Sequence, residues 1–156
     1  MRIQEEMLDS MFVQSGVSKA RLHEALRTMG PKHLHTAEMR RRWTWDNPTT
    51  CYCYVVSEML YWYVAPDGTK PFKLVVPEDP GLHRFLRWPD GNVVDLTADQ
   101  FPNYECVDYG KAKVSYFLQV KSQGPSKRAL MLASLLGYET FRKPNKFDDH
   151  NLPHVR

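Results

Sequence analysis

The first thirty residues carry apolar positions at the three- and four-residue spacing of amphipathic helices. The pattern predicts two short helices, over residues 3–14 and 18–29, which are separated at Gly16. Ser18 is placed to cap the second helix, and Gly30-Pro31 is placed to end it. The apolar stripe of the first helix is typical of a packing surface, and it consists of Ile3, Met7 or Leu8, Met11 and Phe12.

A third helix is predicted from Cys53 to Tyr63, a run without glycine or proline whose apolar positions recur at helical steps. The preceding residues, Asn47-Pro48-Thr49-Thr50, are typical of a turn that leads into a helix. Proline disfavours helix immediately before itself, and threonine can cap a helix. Cys53 is therefore expected in the first turn of an amphipathic helix.

Residues 83–88 and 92–97 alternate with a period of two, which indicates two β-strands. Pro89-Asp90-Gly91 lies between them and predicts a hairpin turn, because it combines a fixed φ, a side-chain acceptor and a free φ. In that register His83 lies opposite residue 97, and Asp95 is a diagonal neighbour of His83 on the same face. A shift of one residue would turn Asp95 to the other face.

The remaining segments complete a single domain over residues 1–143. Residues 64–82 are rich in proline and glycine and include one predicted strand, 72–76, and residues 114–120 alternate as another strand. A last helix is predicted to follow Ser126 and to end at Gly137, and residues 144–156 form a polar tail. The predicted class is α+β, in which the N-terminal helices of residues 1–30 precede a cysteine-bearing helix packed on a small antiparallel sheet.

Composition limits the classes of function. Of the 156 residues 42% are hydrophobic and 25% charged, as in ordinary soluble globular proteins, and a net charge of +3 is too small to argue for nucleic-acid binding by itself. Three cysteines argue against a secreted disulfide framework and favour a reducing cytoplasm. Acidic residues near the start argue against a signal peptide, and no stretch is long and apolar enough to cross a membrane.

Cys53, His83 and Asp95 can together form an activated nucleophile. The unpaired N–H groups and the positive dipole at a helix start favour a thiolate, which is the reactive form of cysteine. An imidazole can accept and return a proton, and a carboxylate can fix its tautomer and stabilise the imidazolium. Each residue also has an ordinary structural interpretation, since cysteine is among the most buried residue types. The sequence implies no cofactor.

At these residues the chain resembles the YunG-like proteins, a family of small bacterial and phage proteins. The resemblance covers about residues 43–137, includes Asn47-Pro-Thr-Thr-Cys-Tyr-Cys53, and is sharpest in Asp90-Gly-Asn-Val-Val-Asp-Leu-Thr-Ala-Asp-Gln-Phe101. It implies a compact relative of the papain and transglutaminase architecture, located in the cytoplasm of a bacterium or of a phage-infected host cell. In that pattern Cys53, His83 and Asp95 are the nucleophile, the base and the orienting residue.

The chain departs from the family pattern immediately before the nucleophile. The family usually has glycine two places before its cysteine and often glutamine or histidine one place before, whereas this chain has Cys51 and Tyr52. A glutamine there can help to bind an oxyanion; Tyr52 can do so only through its hydroxyl, and backbone N–H groups can serve instead. Gln100 is expected either to organise the loop after the second strand or to line the pocket. Cys51 is a second candidate for the reactive thiol, or for oxidation together with Cys53.

These features favour a thiol-dependent hydrolase or acyl-transferase that acts on an amide or acyl group, such as a peptidase, a deamidase or a transglutaminase-like enzyme. The alternative is a non-catalytic binding or inhibitor protein, encoded by a phage, that captures a host protein, a nucleotide or a nucleic acid. The unusual Cys51 and Tyr52 are the residues that favour the alternative. A zinc site at Cys51, Cys53, His83 and Cys106 is disfavoured, because a one-residue gap between cysteines is unlike the usual spacing.

A basic and aromatic run suggests a third class of function. Arginine neutralises phosphate and tryptophan stacks on bases, so Arg40-Arg41-Arg42-Trp43-Thr44-Trp45 can form a surface for nucleic acid or nucleotide. The ordinary interpretation is a solvated charged face beside two core tryptophans. Lys127 and Arg128 lie at a predicted helix start, and they would add to an anion site if they lie near Arg40–Arg42.

Overall fold

The computed structural model describes residues 2–77, 81–102, 107–117 and 124–139, with side chains from residue 5 onward. Its helices are α1 (Arg2–Ser15), α2 (Lys19–Met29), α3 (Ala37–Arg42), α4 (Cys53–Tyr63) and α5 (Lys127–Leu135). Its strands are β1 (Lys70–Val75), β2 (Leu82–Arg87), β3 (Val93–Val94) and β4 (Lys113–Val114). The α+β class is therefore confirmed. The predicted tail at 144–156 and Cys106 lie outside the described residues, as does the end of the strand predicted at 114–120.

The four strands of the described residues form one antiparallel sheet in the order β3-β2-β1-β4. β1 and β2 pair along their whole length, from Lys70 opposite Arg87 to Val75 opposite Leu82. β4 is short and pairs with β1 at the far edge of the sheet. The central strand β2 therefore lies between β1 and β3.

The β2–β3 hairpin has the register that its turn sequence predicts. Leu86 lies opposite Val94, and the N–H of Gly91, whose φ is 89°, donates to the Trp88 carbonyl at 2.9 Å. Continuing this register puts residue 83 opposite residue 97 and makes Asp95 a diagonal neighbour of residue 83. Regular pairing ends at Val94, earlier than predicted, because the Asp95 carboxylate accepts the N–H of the residue two places on and bends the chain into the 3₁₀ helix Ala98–Gln100.

Side-chain caps set the beginnings of three helices. Ser18 accepts the N–H of Arg21 at the start of α2, and Ser126 accepts the N–H of Ala129 at the start of α5, as the sequence predicts. The helix α3 was not predicted, because its six residues are mostly charged and lack an apolar period. Its start is capped by the Thr36 hydroxyl, which accepts the N–H of Met39.

The helix α4 is buried on nearly every side rather than amphipathic as predicted. Every residue of α4 except Tyr54 is buried, because the helix packs against β2 on one side and α5 on another. It belongs to the larger of two apolar clusters, which also includes side chains of α1 and α2. The smaller cluster surrounds the middle of β2 and consists of Leu74, Val76, Phe85, Phe101 and Val107. Among the described residues, no helix combines the length and the apolar character needed to cross a bilayer.

Candidate active site

His83 and Asp95 form a buried pair where β2 begins and the return strand ends. Nε2 of His83 lies 2.6 Å from Oδ2 of Asp95, and the two side chains are 0% and 1% exposed. Burial alone would lower the pKa of His83, but the Asp95 charge and hydrogen bond, together with Cys53, raise the pKa of the imidazole to about 10. The geometry therefore favours an imidazolium stabilised by a carboxylate.

Four hydrogen bonds hold the Asp95 carboxylate in place. Oδ2 accepts from the hydroxyl of Tyr109 at 2.7 Å as well as from His83, and Oδ1 accepts from both the N–H and the hydroxyl of Thr97 at 3.2 Å. The backbone N–H of Asp95 points to the Met11 sulfur of α1 at 3.2 Å. Tyr109 and Met11 were not found from the sequence, since neither belongs to a motif or to the hairpin.

Aromatic rings enclose the His83 imidazole. The Phe101 ring meets it edge-on with centroids 4.8 Å apart, and the Phe85 ring lies nearly parallel at 6.3 Å. These contacts fix the plane of the imidazole and exclude water from it. Because Nε2 is bonded to Asp95, the other ring nitrogen, Nδ1, is the one left to exchange a proton, and it has no hydrogen-bond partner in the described structure.

Cys53 is the first residue of α4 and lies beside this imidazole. Its Sγ is 3.7 Å from the Leu82 carbonyl, and one turn later the Ser57 hydroxyl donates to the Arg84 carbonyl at 3.1 Å. The helix is thus docked on alternate carbonyls of β2, which brings the thiol close enough to raise the pKa of His83. No hydrogen bond of good geometry joins Sγ to Nδ1. Catalytic hydrogen bonds are often loose until a substrate binds, so we interpret the pair as neighbours rather than as bonded.

The loop before Cys53 is tied to the turn that carries Asp95. The N–H of Cys51 donates to Oε1 of Gln100 at 3.3 Å, and Nε2 of Gln100 donates to the Thr97 hydroxyl at 3.1 Å. Since the same hydroxyl donates to Asp95, one short chain of bonds joins the nucleophile loop to the carboxylate. Gln100 was expected either to organise the loop or to line the pocket, and these contacts fit the first role.

A second tie reaches the same loop through Asp99. Oδ1 of Asp99 accepts from the Thr49 hydroxyl at 2.6 Å, and its backbone carbonyl accepts from the Asn47 amide at 3.3 Å. His23 of α2 lies 3.0 Å from Oδ2, although this contact does not have the geometry of a hydrogen bond. The segment from Asn47 to Cys53 is therefore held by polar contacts at both ends.

Tyr52 is placed away from the position expected of an oxyanion donor. Its ring is fully buried, and its hydroxyl donates to the Gly30 carbonyl at 2.5 Å, at the end of α2. Burial raises the pKa of Tyr52 to about 12, with Arg128 opposing. The donors that remain for an oxyanion are backbone N–H groups at the start of α4. The first bond of the helix joins Val56 to the Tyr52 carbonyl, so the N–H of Cys53 has no acceptor within the helix.

Two of the basic candidates meet at one short segment. Arg128 donates to the His33 carbonyl at 3.3 Å, and Arg40 donates to the next carbonyl, that of Leu34, at 2.9 Å. Of the basic residues that the sequence suggested for an anion site, Arg40 and Arg128 therefore lie close together. Lys127 and Arg41 are exposed, whereas Arg42 is half-buried.

The start of α5 already holds an anion from within the chain. The buried carboxylate of Glu58 accepts from the N–H of Ser126 at 3.0 Å and from its hydroxyl at 2.6 Å. Burial raises the pKa of Glu58, while Ser126 and Arg128 act in the opposite direction. The helix start therefore does not require an external anion.

The two tryptophans of the basic run are not both core residues. The Trp45 side chain is 64% exposed and lies under the Arg27 guanidinium, whose carbon is 5.8 Å from the ring centroid. Trp43 is half-buried and donates through Nε1 to the Pro48 carbonyl at 2.9 Å. The interpretation as two core tryptophans is therefore wrong for Trp45.

A cavity of about 450 Å³ lies away from the triad. It is lined by Tyr63, Leu130, Ser134, Gly137, Tyr138 and Glu139. Since Tyr63 is ten residues along α4 from Cys53, the cavity begins roughly 15 Å from the thiol and is separate from the candidate active site. Among the residues that the structure describes, no group of three or more His, Cys, Asp or Glu side chains is arranged to hold a metal ion.

Comparison of the chain with protein-family models, with curated proteins and with solved structures finds no match. The resemblance to the YunG-like proteins stays a prediction.

Proposed function

We propose that the protein is a cysteine hydrolase or acyl-transferase that acts on an amide or acyl group through Cys53, His83 and Asp95. The observation that carries the proposal is the buried His83–Asp95 pair at 2.6 Å, whose remaining ring nitrogen has no hydrogen-bond partner beside the Cys53 thiol. A buried, perturbed imidazole next to a nucleophile is typical of catalytic sites.

In the proposed reaction, the thiol proton is held on Nδ1 of His83 as an imidazolium, and the Cys53 thiolate attacks the carbonyl carbon of the substrate. Backbone N–H groups at the start of α4 hold the oxyanion. The imidazolium then gives its proton to the leaving amine or alcohol, which departs and leaves a thioester on Cys53. Water or an acceptor amine attacks that thioester, His83 takes its proton, and the C–S bond breaks, which releases the acid or the new amide and restores the Cys53 thiolate. The same site can thus serve hydrolysis, deamidation or transfer. Hydrolysis or deamidation of a protein or of a small amide is our first choice.

The proposed architecture is that of a minimal papain- or transglutaminase-like protein of the YunG-like type. Two observations support it besides the Cys-His-Asp order. The nucleophile helix packs on an antiparallel sheet whose central strand carries the histidine. Cys51 has a φ of 65°, in the left-handed region that favours glycine, and it occupies the place where the family usually has glycine. The same resemblance supports a cytoplasmic location.

An activated acetyl ester, p-nitrophenyl acetate, tests the nucleophile without a known substrate. In a Cys51→Ser background, the tryptic peptide of residues 43–73 has Cys53 as its one cysteine. We expect rapid release of one nitrophenolate per chain and an acetyl group on this peptide, both lost in Cys53→Ala.

His83→Gln should also abolish the acetylation, whereas His23→Gln should not. His23 is the matched control, since it also lies close to an aspartate, and no hydrogen bond or ion pair of the described residues joins it to Cys53. Because His83 is fully buried, circular dichroism must first show that the variant is folded, and Asp95→Asn serves if it is not. Equal acetylation in the wild type and in folded His83→Gln or Asp95→Asn would refute the proposal.

A non-catalytic binding protein is the second candidate, and the burial of the site favours it. The Cys53 residue is 7% exposed and His83 is 0% exposed, so a substrate carbonyl has little access to the thiol in this conformation. On this hypothesis Cys53 resists both the ester and iodoacetamide in the folded protein. A nucleic acid or nucleotide partner would use the exposed Arg40, Arg41 and Trp45, and its binding would weaken steeply with added salt.

A further inference from the structure

Two exposed apolar side chains lie beside the candidate nucleophile. Leu82, the first residue of β2, is 45% exposed, and Val75, the last residue of β1, is 70% exposed. The two residues are direct partners in the β1–β2 ladder, so their side chains are neighbours on one face of the sheet. The Cys53 sulfur is 3.7 Å from the carbonyl oxygen of Leu82. An uncovered apolar pair therefore adjoins the thiol.

The packing of α4 explains why this pair is uncovered. Cys53 lies beside Leu82, and Ser57, one turn later, donates to the Arg84 carbonyl, so the helix begins where the strand begins. Leu82, Arg84 and Leu86 point to the same face of β2, because side chains alternate along a strand. Leu86 is fully buried in the cluster that contains α4, whereas Leu82 is not. The helix thus seals this face at Leu86 and leaves it open beside the thiol.

Basic residues bound the open apolar area along the strands. The Arg84 guanidinium lies over the Tyr54 ring, with its carbon 5.2 Å from the ring centroid, and it donates to the Ser115 hydroxyl at 3.0 Å. Lys73 is the partner of Arg84 in the ladder and is half-buried. The surface suited to an aliphatic group is therefore limited to the pair next to the thiol.

We propose that Val75 and Leu82 form the subsite for an aliphatic group on the acyl side of the substrate. This inference rests on the proposed function, because it places the substrate carbonyl at the Cys53 sulfur. Cys53 is 7% exposed, so a carbonyl approaches the thiol past the exposed Leu82. An aliphatic group attached to that carbonyl then lies against the pair, and covering the pair removes apolar surface from water. The substrate class is an amide or ester of an aliphatic acyl group.

Two p-nitrophenyl esters of different chain length test the subsite in the Cys51→Ser background. The hexanoyl ester has four more methylene groups than the acetyl ester, and partial burial of these groups should make it acylate Cys53 about tenfold faster. The esters of N-acetylleucine and N-acetylglycine form a second pair, in which the aliphatic group is a peptide side chain. The larger of the two rate ratios identifies whether a simple acyl chain or a peptide residue fits the subsite.

The same substitution at two exposed valines supplies the variant and its matched control. Val75→Thr keeps the shape of the side chain and should lower the ratio of hexanoyl to acetyl rates by about threefold. Val114 is 46% exposed, and it pairs with Phe72, which puts it on the other face of the sheet from Val75. Val114→Thr should therefore leave the ratio unchanged. Equal rates for the two esters in the parent protein, or the parent's ratio in Val75→Thr, would overturn the subsite.

A titration that needs no catalysis separates the failure of this inference from that of the proposed function. In Cys53→Ala protein, hexanamide should shift the methyl NMR signals of Val75 and Leu82, and acetamide should not. If the acetyl ester modifies Cys53 but hexanamide shifts neither residue and the hexanoyl ester is no faster, the subsite is refuted and the proposed function stands. If hexanamide shifts both residues but no ester modifies Cys53, the apolar site is supported and the proposed function fails.

Discussion

Replacing Asp95 by asparagine removes the charge that the His83 imidazolium needs while keeping the shape of the side chain. If the asparagine oxygen keeps the two bonds from Thr97, its NH₂ group faces the donors of His83 and Tyr109. Nε2 of His83 must then accept a hydrogen bond from this NH₂ group. The ring hydrogen of the neutral imidazole therefore lies on Nδ1, on the side of Cys53. In that tautomer His83 is no longer a base for the thiol.

The expected size of the effect follows from the lost bond. A hydrogen bond to a charged group contributes about 1.5–3 kcal/mol, and about 1.4 kcal/mol corresponds to tenfold, so the thiolate should become roughly 10- to 100-fold less available. We would measure the rate of Cys53 alkylation by iodoacetamide near neutral pH in a Cys51→Ser background. Asp108→Asn is the control, because its carboxylate is 58% exposed and contacts Gly110 and Lys111 instead.

A folded Asp95→Asn protein that alkylates at the rate of its parent would refute the role of Asp95. A fall of similar size in Asp108→Asn would show that the effect is general, and would count equally against it. A urea unfolding curve for each variant separates a loss of reactivity from a loss of fold.

The same contacts predict three further outcomes. Tyr109→Phe removes a hydrogen bond of 2.7 Å to the Asp95 carboxylate but leaves the negative charge beside His83. It should therefore change the Cys53 alkylation rate by less than Asp95→Asn does, and an equal or larger effect would contradict the assigned roles. The pKa of His83 is raised from 6.5 to about 10, so between these pH values the folded chain binds more protons than the unfolded chain. The contribution of the His83–Asp95 pair to stability should therefore be complete below pH 6.5 and lost as the pH rises toward 10. The wild-type urea midpoint should therefore fall across this window relative to that of Asp95→Asn, and parallel curves would contradict the pairing. Cys51→Gly should be more stable than Cys51→Ala by about 1 kcal/mol, or about 2–4 °C in Tm, because both lose the sulfur but only glycine relieves the left-handed φ; equal Tm values would exclude strain.

The hairpin was the part of the site most open to prediction from sequence. Pro89-Asp90-Gly91 specifies a turn of known length, and that length determines which residues face each other, so the relation of His83 to Asp95 followed from local chemistry. The bounds of α4 were also predictable, because the turn before Cys53 and the absence of glycine and proline are local signals.

The contacts that hold the site together were not predictable, because they join distant segments. Tyr109 reaches Asp95 from a separate 3₁₀ helix, and Met11 reaches it from the first helix of the chain. Tyr52 was considered for the oxyanion on its position alone, yet its long side chain reaches the end of α2. Whether a polar side chain faces the site or the core depends on such tertiary partners, which spacing along the sequence does not encode.

The Glu58–Ser126 contact has a consequence for the order in which the site is completed during synthesis. Glu58 lies in the nucleophile helix, and its acceptors are satisfied by a residue 68 positions later in the chain. On the ribosome, the sequence that contains Cys53, His83 and Asp95 emerges well before Ser126. Until Ser126 emerges, the Glu58 carboxylate lacks the two donors that hold it, and α4 lacks the packing of α5. A nascent chain would thus carry all three residues of the triad before it carries a finished site.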